Sequence, residues 1–266
     1  MGLRLKPVAP RQGLAWIVQG FALWAKRPLG FIGLFVLFLL GVLLLMVVVP
    51  VVGGLLGLAM LPMLTLGFMI GSRQVQRGGT VHALQFVEGL RHPDQPRRRA
   101  QWVLCAGYAL ASMVVISAAD WIDGGSFERL QHLLVAAKPS SEEIGALLAD
   151  PWLAWGMVAR LGLAGLVSVP YWHAPALVHW GGQGALQALY SSTVALWRAR
   201  GAYTLYFAGW TAMTVAVSGL VVALAAITGL RQVVGVLTMP LGLVLSAAFY
   251  VSLWFGFADC FGSDET

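Results

Sequence analysis

Charge is what this sequence has least of. Asp, Glu, Lys and Arg make up 11% of the 266 residues, against about 25% in an ordinary soluble domain. A chain with so little water-facing chemistry cannot cover a soluble fold, and it lacks the polarity that keeps a disordered chain solvated. Cysteine is nearly absent as well: there are 2, too few for a disulfide scaffold. These and the 5 histidines show no CxxC or HxxxH spacing, so no metal site is expected. The start Met1-Gly2-Leu3-Arg4-Leu5-Lys6 lacks the Ser or Thr of a myristoylation signal.

Apolar residues take up the remainder: 59% of the chain is hydrophobic, with a mean hydropathy of +0.79. Crossing the roughly 30 Å hydrocarbon layer takes about 20 helical residues, and a backbone in lipid must satisfy its own hydrogen bonds. Six charge-poor runs meet that requirement, at about 29–49, 51–72, 100–119, 152–176, 201–230 and 232–258. The sequence therefore predicts an all-α integral membrane protein. It is a single transmembrane domain over 1–266, built as three helical hairpins with short amphipathic interfacial helices on one side and a loop at 120–150 on the other. The first hairpin carries no charge between Arg27 and Arg73 and turns at Val49-Pro50 and Gly53-Gly54. Its tip, lacking polar residues, either emerges or stays within the interface as a re-entrant pair.

Short connections rich in Lys and Arg resist translocation. Thirteen Lys and Arg fall on one side of this topology and three (Arg129, Lys138, Arg231) on the other, with Arg160 inside the fourth hydrophobic region. Both termini are thus expected in the cytoplasm. Trp24, Trp102, Trp197 and Trp254 fall at inner ends and Trp121 and Trp152 at outer ends, as interfacial belts do. Lys26, Arg27, Arg97, Arg98, Arg99, Arg198 and Arg200 read as facing anionic lipid headgroups, at about 1 kcal/mol each. No nucleic-acid module surrounds them, so the formal charge of +6 is not a nucleic-acid signature. A cleavable signal is not expected, because the first apolar run begins near residue 28 and leads straight into a second span. Cys105 and Cys260 map near inner ends, where a reducing compartment disfavours a disulfide. His82, His92 and His132 read as solvated loop residues.

Ala22 to Arg27 before span one resembles Ala195 to Arg200 before span five, and His82 to Gln85 before span three resembles Gly184 to Gln187. These matches suggest three hairpin units, each with an amphipathic lead-in, although short apolar helices also look alike by chance. In the first lead-in Leu14, Ile17, Val18 and Phe21 recur at i, i+3, i+4 and i+7, the pattern of a helix lying in the interface. Gly53-x-x-x-Gly57, Gly67-x-x-x-Gly71 and Gly242-x-x-x-Ser246 place small residues on one face, where helices of the same chain or of a second copy would approach closely.

The 120–150 loop is acidic, and Ser140-Ser141-Glu142-Glu143 suits a helix start, but no carboxylate spacing for a cation is present. Arg160 is the one full charge set well inside a hydrophobic segment. Starting span four at Trp152 would put it about 12 Å inward, a costly depth. Starting the span at Leu161 would bring Arg160 to the interface at the level of Asp120, with 142–159 lying along the surface. In that register Arg160 and Asp120 are expected to pair, because Asp120 sits at a helix C-terminus that is already negative.

Pro170 and Pro175 interrupt helical bonding within Pro170 to Trp180, so this stretch is expected to kink or unwind. Trp172, His173, His179 and Trp180 then suit either an interfacial anchor where the helix leaves the membrane or a transporter-like break that exposes carbonyls to a cargo. His173 and His179, six apart, fall on opposite sides of a regular helix and are poor joint ligands.

The string Trp172 to Trp180, WHAPALVHW, is similar to one carried at the end of the fourth span by a proteobacterial inner-membrane protein family of about this length. The chain resembles that family nearly end to end, including Gly13-Leu14-Ala15-Trp16, Pro28-Leu29, Asp123-Gly124-Gly125 and the region of Phe257, Asp259 and Phe261. The resemblance implies a six-span inner-membrane architecture and transfers no catalytic residue. Three function classes fit the residues. The first is a non-enzymatic membrane component that binds anionic lipid or another membrane protein, a second copy included. The second is a small-solute transporter or channel using the broken fourth span and Arg160. The third is a membrane enzyme, with His173, His179 and Asp120 as its only acid-base candidates. With no catalytic motif and no cofactor motif to read, the first class leads.

Overall fold

The structure is a computed structural model and describes residues 5–50, 52–135, 141–229 and 231–262. Expectations resting on Met1 to Arg4, Val51, Lys138, Ser140, Leu230 and Thr266, or on the side chains of Ser141 and Arg231, lie outside the described residues.

Helix α1 (Gln12–Trp24) leads into α2 (Pro28–Val48), and a tight turn joins α2 to α3 (Gly53–Ala59) and α4 (Leu61–Gln76), which form one broken span. A long connection reaches α5 (Gln95–Asp123), and α6 (Ser126–Val135) and α7 (Ser141–Leu148) bridge it to α8 (Pro151–Tyr171) and α9 (Ala174–Gly181), a second broken span. Then α10 (Ala185–Arg198) leads into α11 (Arg200–Thr228), and α12 (Arg231–Phe261) follows. Six spans are long and apolar enough to cross a membrane, and no strand occurs among the described residues. The protein is the all-helical, multi-pass membrane protein that the apolar runs predict. The third span runs on to Asp123 instead of ending near Ala119, and 151–159 belongs to α8 instead of lying along the surface. What is left of the acidic loop is largely α6 and α7.

Glycine makes the first turn possible. A Cβ at Gly53 would fall 2.3 Å from the Leu45 carbonyl oxygen, and one at Gly57 would fall 2.7 Å from Val42 Cγ1. That small-residue face therefore packs inside its own hairpin. Around Gly242, by contrast, a Cβ would meet nothing within 4 Å.

Basic groups collect at one end of the molecule: the Arg73 guanidinium lies 5.2 Å over the Trp180 ring, and Arg97 donates to the His179 carbonyl at 2.8 Å. Asp120, Asp123 and Asp150 mark the opposite, acidic end. The basic half holds the core, with Trp16, Phe31, Phe68, Leu177 and Tyr206 fully buried. Towards the acidic end α11 and α12 stand apart from α5 and α8, and Val215, Leu220, Ile227, Val236 and Met239 are left to lipid.

The structure corrects the reading of α1. Its buried face is Gly13, Trp16, Ile17, Gly20 and Leu23, docked along α11 and α12, while Leu14 and Val18 stay exposed. Two glycines a heptad apart decide this: a Cβ at Gly13 would lie 1.9 Å from the Ala202 carbonyl oxygen and one at Gly20 would lie 2.6 Å from Ser252 Cβ. Trp16 fixes the register by donating from Nε1 to Asp259 Oδ2 at 2.7 Å. A protein seam removes Trp16 and Ile17 from water as lipid would, and it adds close van der Waals contact and a charge-assisted hydrogen bond.

The connection from α4 to α5 is likewise not a solvated loop. Its two 3-10 turns, Ala83–Phe86 and Gly89–Arg91, fold back along α4, with the Phe86 backbone against Gly67 and its ring 5.6 Å from that of Phe38. Gly67 and Gly71 thus receive a loop instead of a helix. Gln85, buried there, donates from Nε2 to Gln74 Oε1 at 2.5 Å and to the Thr80 carbonyl at 3.3 Å. Because this lead-in has no α-helix, the proposed repeat of three units reduces to a likeness between α1 and α10. Trp254 departs from the belt pattern too: it is buried, and its Nε1 donates to Gln76 Oε1 at 2.9 Å.

Candidate functional site

At the acidic end, α5 and α8 run side by side and Arg160 reaches across from α8. Its guanidinium donates from one nitrogen to Asp120 Oδ1 and from the other to Asp123 Oδ2, while the Phe127 ring covers it at 4.2 Å. The expected pair with Asp120 is present, and Asp123 joins it. Asp123 is the more important partner electrostatically, since its side chain is 0% exposed against 46% for Asp120. Its second oxygen accepts from the Gly125 N–H at 2.9 Å, in the turn where Gly124 takes a left-handed φ of +58° to end α5. Both carboxylate oxygens of Asp123 are therefore satisfied, as a buried charge requires. Asp150 caps α8, accepting from the Trp152 N–H at 2.9 Å and from the Ser126 hydroxyl at 3.1 Å.

The fourth span breaks between Tyr171 and Ala174. The Trp172 N–H donates to the Val169 carbonyl at 3.3 Å, and helical bonding restarts with Leu177 N–H to the His173 carbonyl at 2.9 Å. Pro170 lies in the last turn of α8, and Pro175 lies in the first turn of α9, where a missing N–H is harmless. The segment is not an interfacial anchor. Trp172 is 9% exposed and His173, Ala174, Ala176, Leu177 and Val178 are 0% exposed. Gln101, buried on α5, donates to the Pro175 carbonyl at 2.8 Å. His173 Nε2 shares a 2.5 Å hydrogen bond with the Tyr203 hydroxyl, which lies 3.8 Å from Cys260 Sγ, so this histidine ties α9 to α11 and α12. His179 emerges on the other side, with its ring 5.2 Å from His92 and Nε2 4.0 Å from Glu88. Trp180 packs 5.3 Å from Trp254. The three acid-base candidates are thus dispersed: His173 is enclosed by aromatic rings, His179 faces the basic end and Asp120 is held by Arg160. Among the described residues no group of three or more His, Cys, Asp or Glu is placed to hold a metal ion.

At the basic end, Lys26 and Arg27 face the last turn of α4 across a cavity of about 250 Å³, lined also by Val75, Gln76, Gly78 and Gly79. Gly78, at φ +84°, makes the reversal that ends α4. Pro28 opens α2 beside the cavity, so the free N–H groups and dipole of that helix add positive potential next to the two cations. Arg99, Arg198 and Arg200 are exposed and Arg98 is half-buried. Arg97 does not face lipid: it donates to the His179 carbonyl and forms an ion pair with Asp94 at 3.0 Å.

Sequence reasoning missed Asp123, the Gly13 and Gly20 seam and the folded-back loop. Asp120 and Asp123, three apart on one helical face, carried a signal for the first, hidden because Asp123-Gly124-Gly125 reads as loop. No protein-family model matches the chain, and no solved structure matches it. Over 265 residues, covering 99% of this chain and 96% of the relative, the chain is 29% identical to a probable inner membrane protein of Burkholderia thailandensis.

Proposed function

We propose that this chain is a non-enzymatic inner-membrane component, with both termini at the cytoplasmic face, whose basic end binds anionic lipid. The observation that carries the reading is the cavity between Lys26, Arg27 and the Gly78-Gly79 turn. Two cations line a space suited to a phosphodiester headgroup, next to the start of α2. The concentration of Lys and Arg at that end supports its cytoplasmic placement, and the near full-length likeness to a probable inner membrane protein supports the compartment. A membrane-protein partner, or a second copy of the chain, is the other ligand this class admits. Purification into native-lipid nanodiscs followed by mass spectrometry tests the reading. Enrichment of phosphatidylglycerol or cardiolipin over the bulk membrane, reduced in a Lys26→Gln/Arg27→Gln variant, is the expected result. Retained lipid of bulk composition in both proteins would sink it, and a stoichiometric co-purifying protein would shift the reading to the partner.

A further inference from the structure

Three cavities line up from the acidic end to the middle of the bundle. The outermost, about 620 Å³, opens between α5, α6 and α8 and is lined by Asp123, Ser126, Arg129, Asp150 and the exposed Trp121 and Trp152. The next, about 140 Å³, lies between α3, α5 and α8 and is lined by Arg160, Ala164, Val167, Ser112 and Tyr108. The innermost, about 50 Å³, is bounded by α4, α5, α8 and α12. Consecutive cavities share elements: Asp123 of the first holds Arg160 of the second, and Tyr108 lines both the second and the third. The lining follows helical periodicity, with Tyr108 and Ser112 one turn apart on α5 and Arg160, Ala164 and Ser168 at four-residue steps on α8. One face of each of two neighbouring helices therefore lines the whole route.

The innermost cavity sits where both broken spans break. Leu61 and Pro62 at the start of α4 line one wall, and Tyr171 and Trp172 at the end of α8 line another. Pro175 has no N–H, so the Tyr171 carbonyl lacks its i+4 helical donor. Five hydroxyls, from Thr65, Tyr108, Ser168, Tyr171 and Tyr250, surround this small space, and no charged side chain lines it. Such a density of hydroxyls in the interior of a span calls for hydrogen-bond partners, and among the described residues the Tyr108–Ser168 bond at 3.0 Å and the Thr65 bond to the Leu61 carbonyl at 3.2 Å supply part of them. Towards the basic end the space is closed by Trp172 and Phe249, whose rings lie 5.9 Å apart.

We propose that this route is a binding path for a small, uncharged, hydrogen-bonding solute, entering from the acidic face and ending in the hydroxyl chamber. The chemistry selects the class. Hydroxyls donate and accept equally well and so match amide and hydroxyl groups. Neither ion finds a counter-charge in the chamber: no carboxylate or cation lines it, and of the two guanidinium groups along the route Arg129 stays at the outer cavity, donating to the Gly124 carbonyl at 2.9 Å, while Arg160 is held by two carboxylates. The proposal is independent of the lipid reading, since it uses the opposite end of the molecule.

Thiol accessibility of the full chain in proteoliposomes tests it, using the neutral reagent 2-hydroxyethyl methanethiosulfonate and urea as the probe solute. The unsubstituted protein, whose Cys105 and Cys260 are buried, sets the background. Ser112→Cys and Ser168→Cys should react at least about tenfold faster than Leu166→Cys on the lipid face, because a thiol in hydrocarbon forms no thiolate. Urea should slow Ser168→Cys, whereas acetate and tetramethylammonium should not, and Ala164→Trp should block labelling at Ser168→Cys. Should Ser168→Cys fail to fold, Thr65→Cys reports from the opposite wall. Labelling of the chamber thiol no faster than that of Leu166→Cys would overturn the path, and equal slowing by all three solutes would overturn the selectivity for uncharged ligands.

Discussion

Gly156 stands one helical turn before Arg160 on α8, and the Asp123 side chain fills the place a Gly156 side chain would take. A Cβ at Gly156 would lie 2.5 Å from Asp123 Cβ and 2.6 Å from Asp123 Oδ2. The ion cluster at the acidic end therefore depends on a residue that carries no charge.

Gly156→Ala should push Asp123 off the guanidinium and lower stability by about 1–3 kcal/mol, the usual cost of overpacking. Thermal unfolding in nanodiscs measures it; an unchanged midpoint would show that α5 shifts freely and that the close fit is incidental.

Removing one partner of the buried pair should cost more. Arg160→Ala is expected to lose about 3–5 kcal/mol, because the enclosed Asp123 carboxylate is left without its cation, whereas Asp123→Ala, which leaves Arg160 paired with Asp120, should lose less. The exchange Asp123→Arg with Arg160→Asp should recover folded yield over either single change, and purely additive losses would contradict the pairing.

Trp16→Phe removes the indole N–H that Asp259 accepts and should cost about 1.5–3 kcal/mol, as for a hydrogen bond to a charged group. Gly20→Leu, which meets Ser252, should release α1 altogether and make 12–24 cleavable by protease, while Leu14→Ser on the exposed face should leave it protected.

Reporter fusions after Gly78, Gly182 and Thr266 should read cytoplasmic, and one near Ala137 should read external. A C-terminus read as external would refute the placement of both termini in the cytoplasm.

Lipid retention at the basic cavity should weaken as salt rises from 0.05 M to 0.5 M, since exposed charges are screened as the Debye length falls below about 10 Å. Retention that ignores salt in vesicles containing phosphatidylglycerol would assign the cavity to an apolar or structural role.

The six spans were legible because each needs only a run of apolar residues, a property local to itself. Arg160 and Asp120 were legible for a related reason: a charge in an apolar segment calls for an opposite charge at its own depth. What escaped depended on distant partners. Gly13 and Gly20 acquire meaning only beside Ala202 and Ser252, and hydrophobic periodicity in α1 cannot tell a lipid-facing Ile17 from one buried in protein. Trp172 to Trp180 was ambiguous in the same way, because aromatic and histidine residues suit an interface and a packed core equally well. The folded-back loop was hidden because its anchor, Phe86, is one of several apolar residues in a short stretch with Val81, Leu84, Val87 and Leu90, and its seat is made by glycines of another element.

The contact of Trp16 with Asp259, together with the Lys6 N–H to Cys260 carbonyl bond at 2.9 Å, bears on the order of assembly. Synthesis runs from α1 to α12, so the earliest helix is made long before the residues that seat it. Until Ser252 and Asp259 have been added, the groove-forming face of Gly13, Trp16 and Gly20 has only the α11 half of its seat, at Ala202, Tyr203 and Tyr206, and lacks both the close approach at Gly20 and the acceptor for Trp16. Docking of α1 is thus completed only in a chain synthesised through α12, and a product truncated before that point would keep the Gly20 side of this face exposed as a mark that quality control can read.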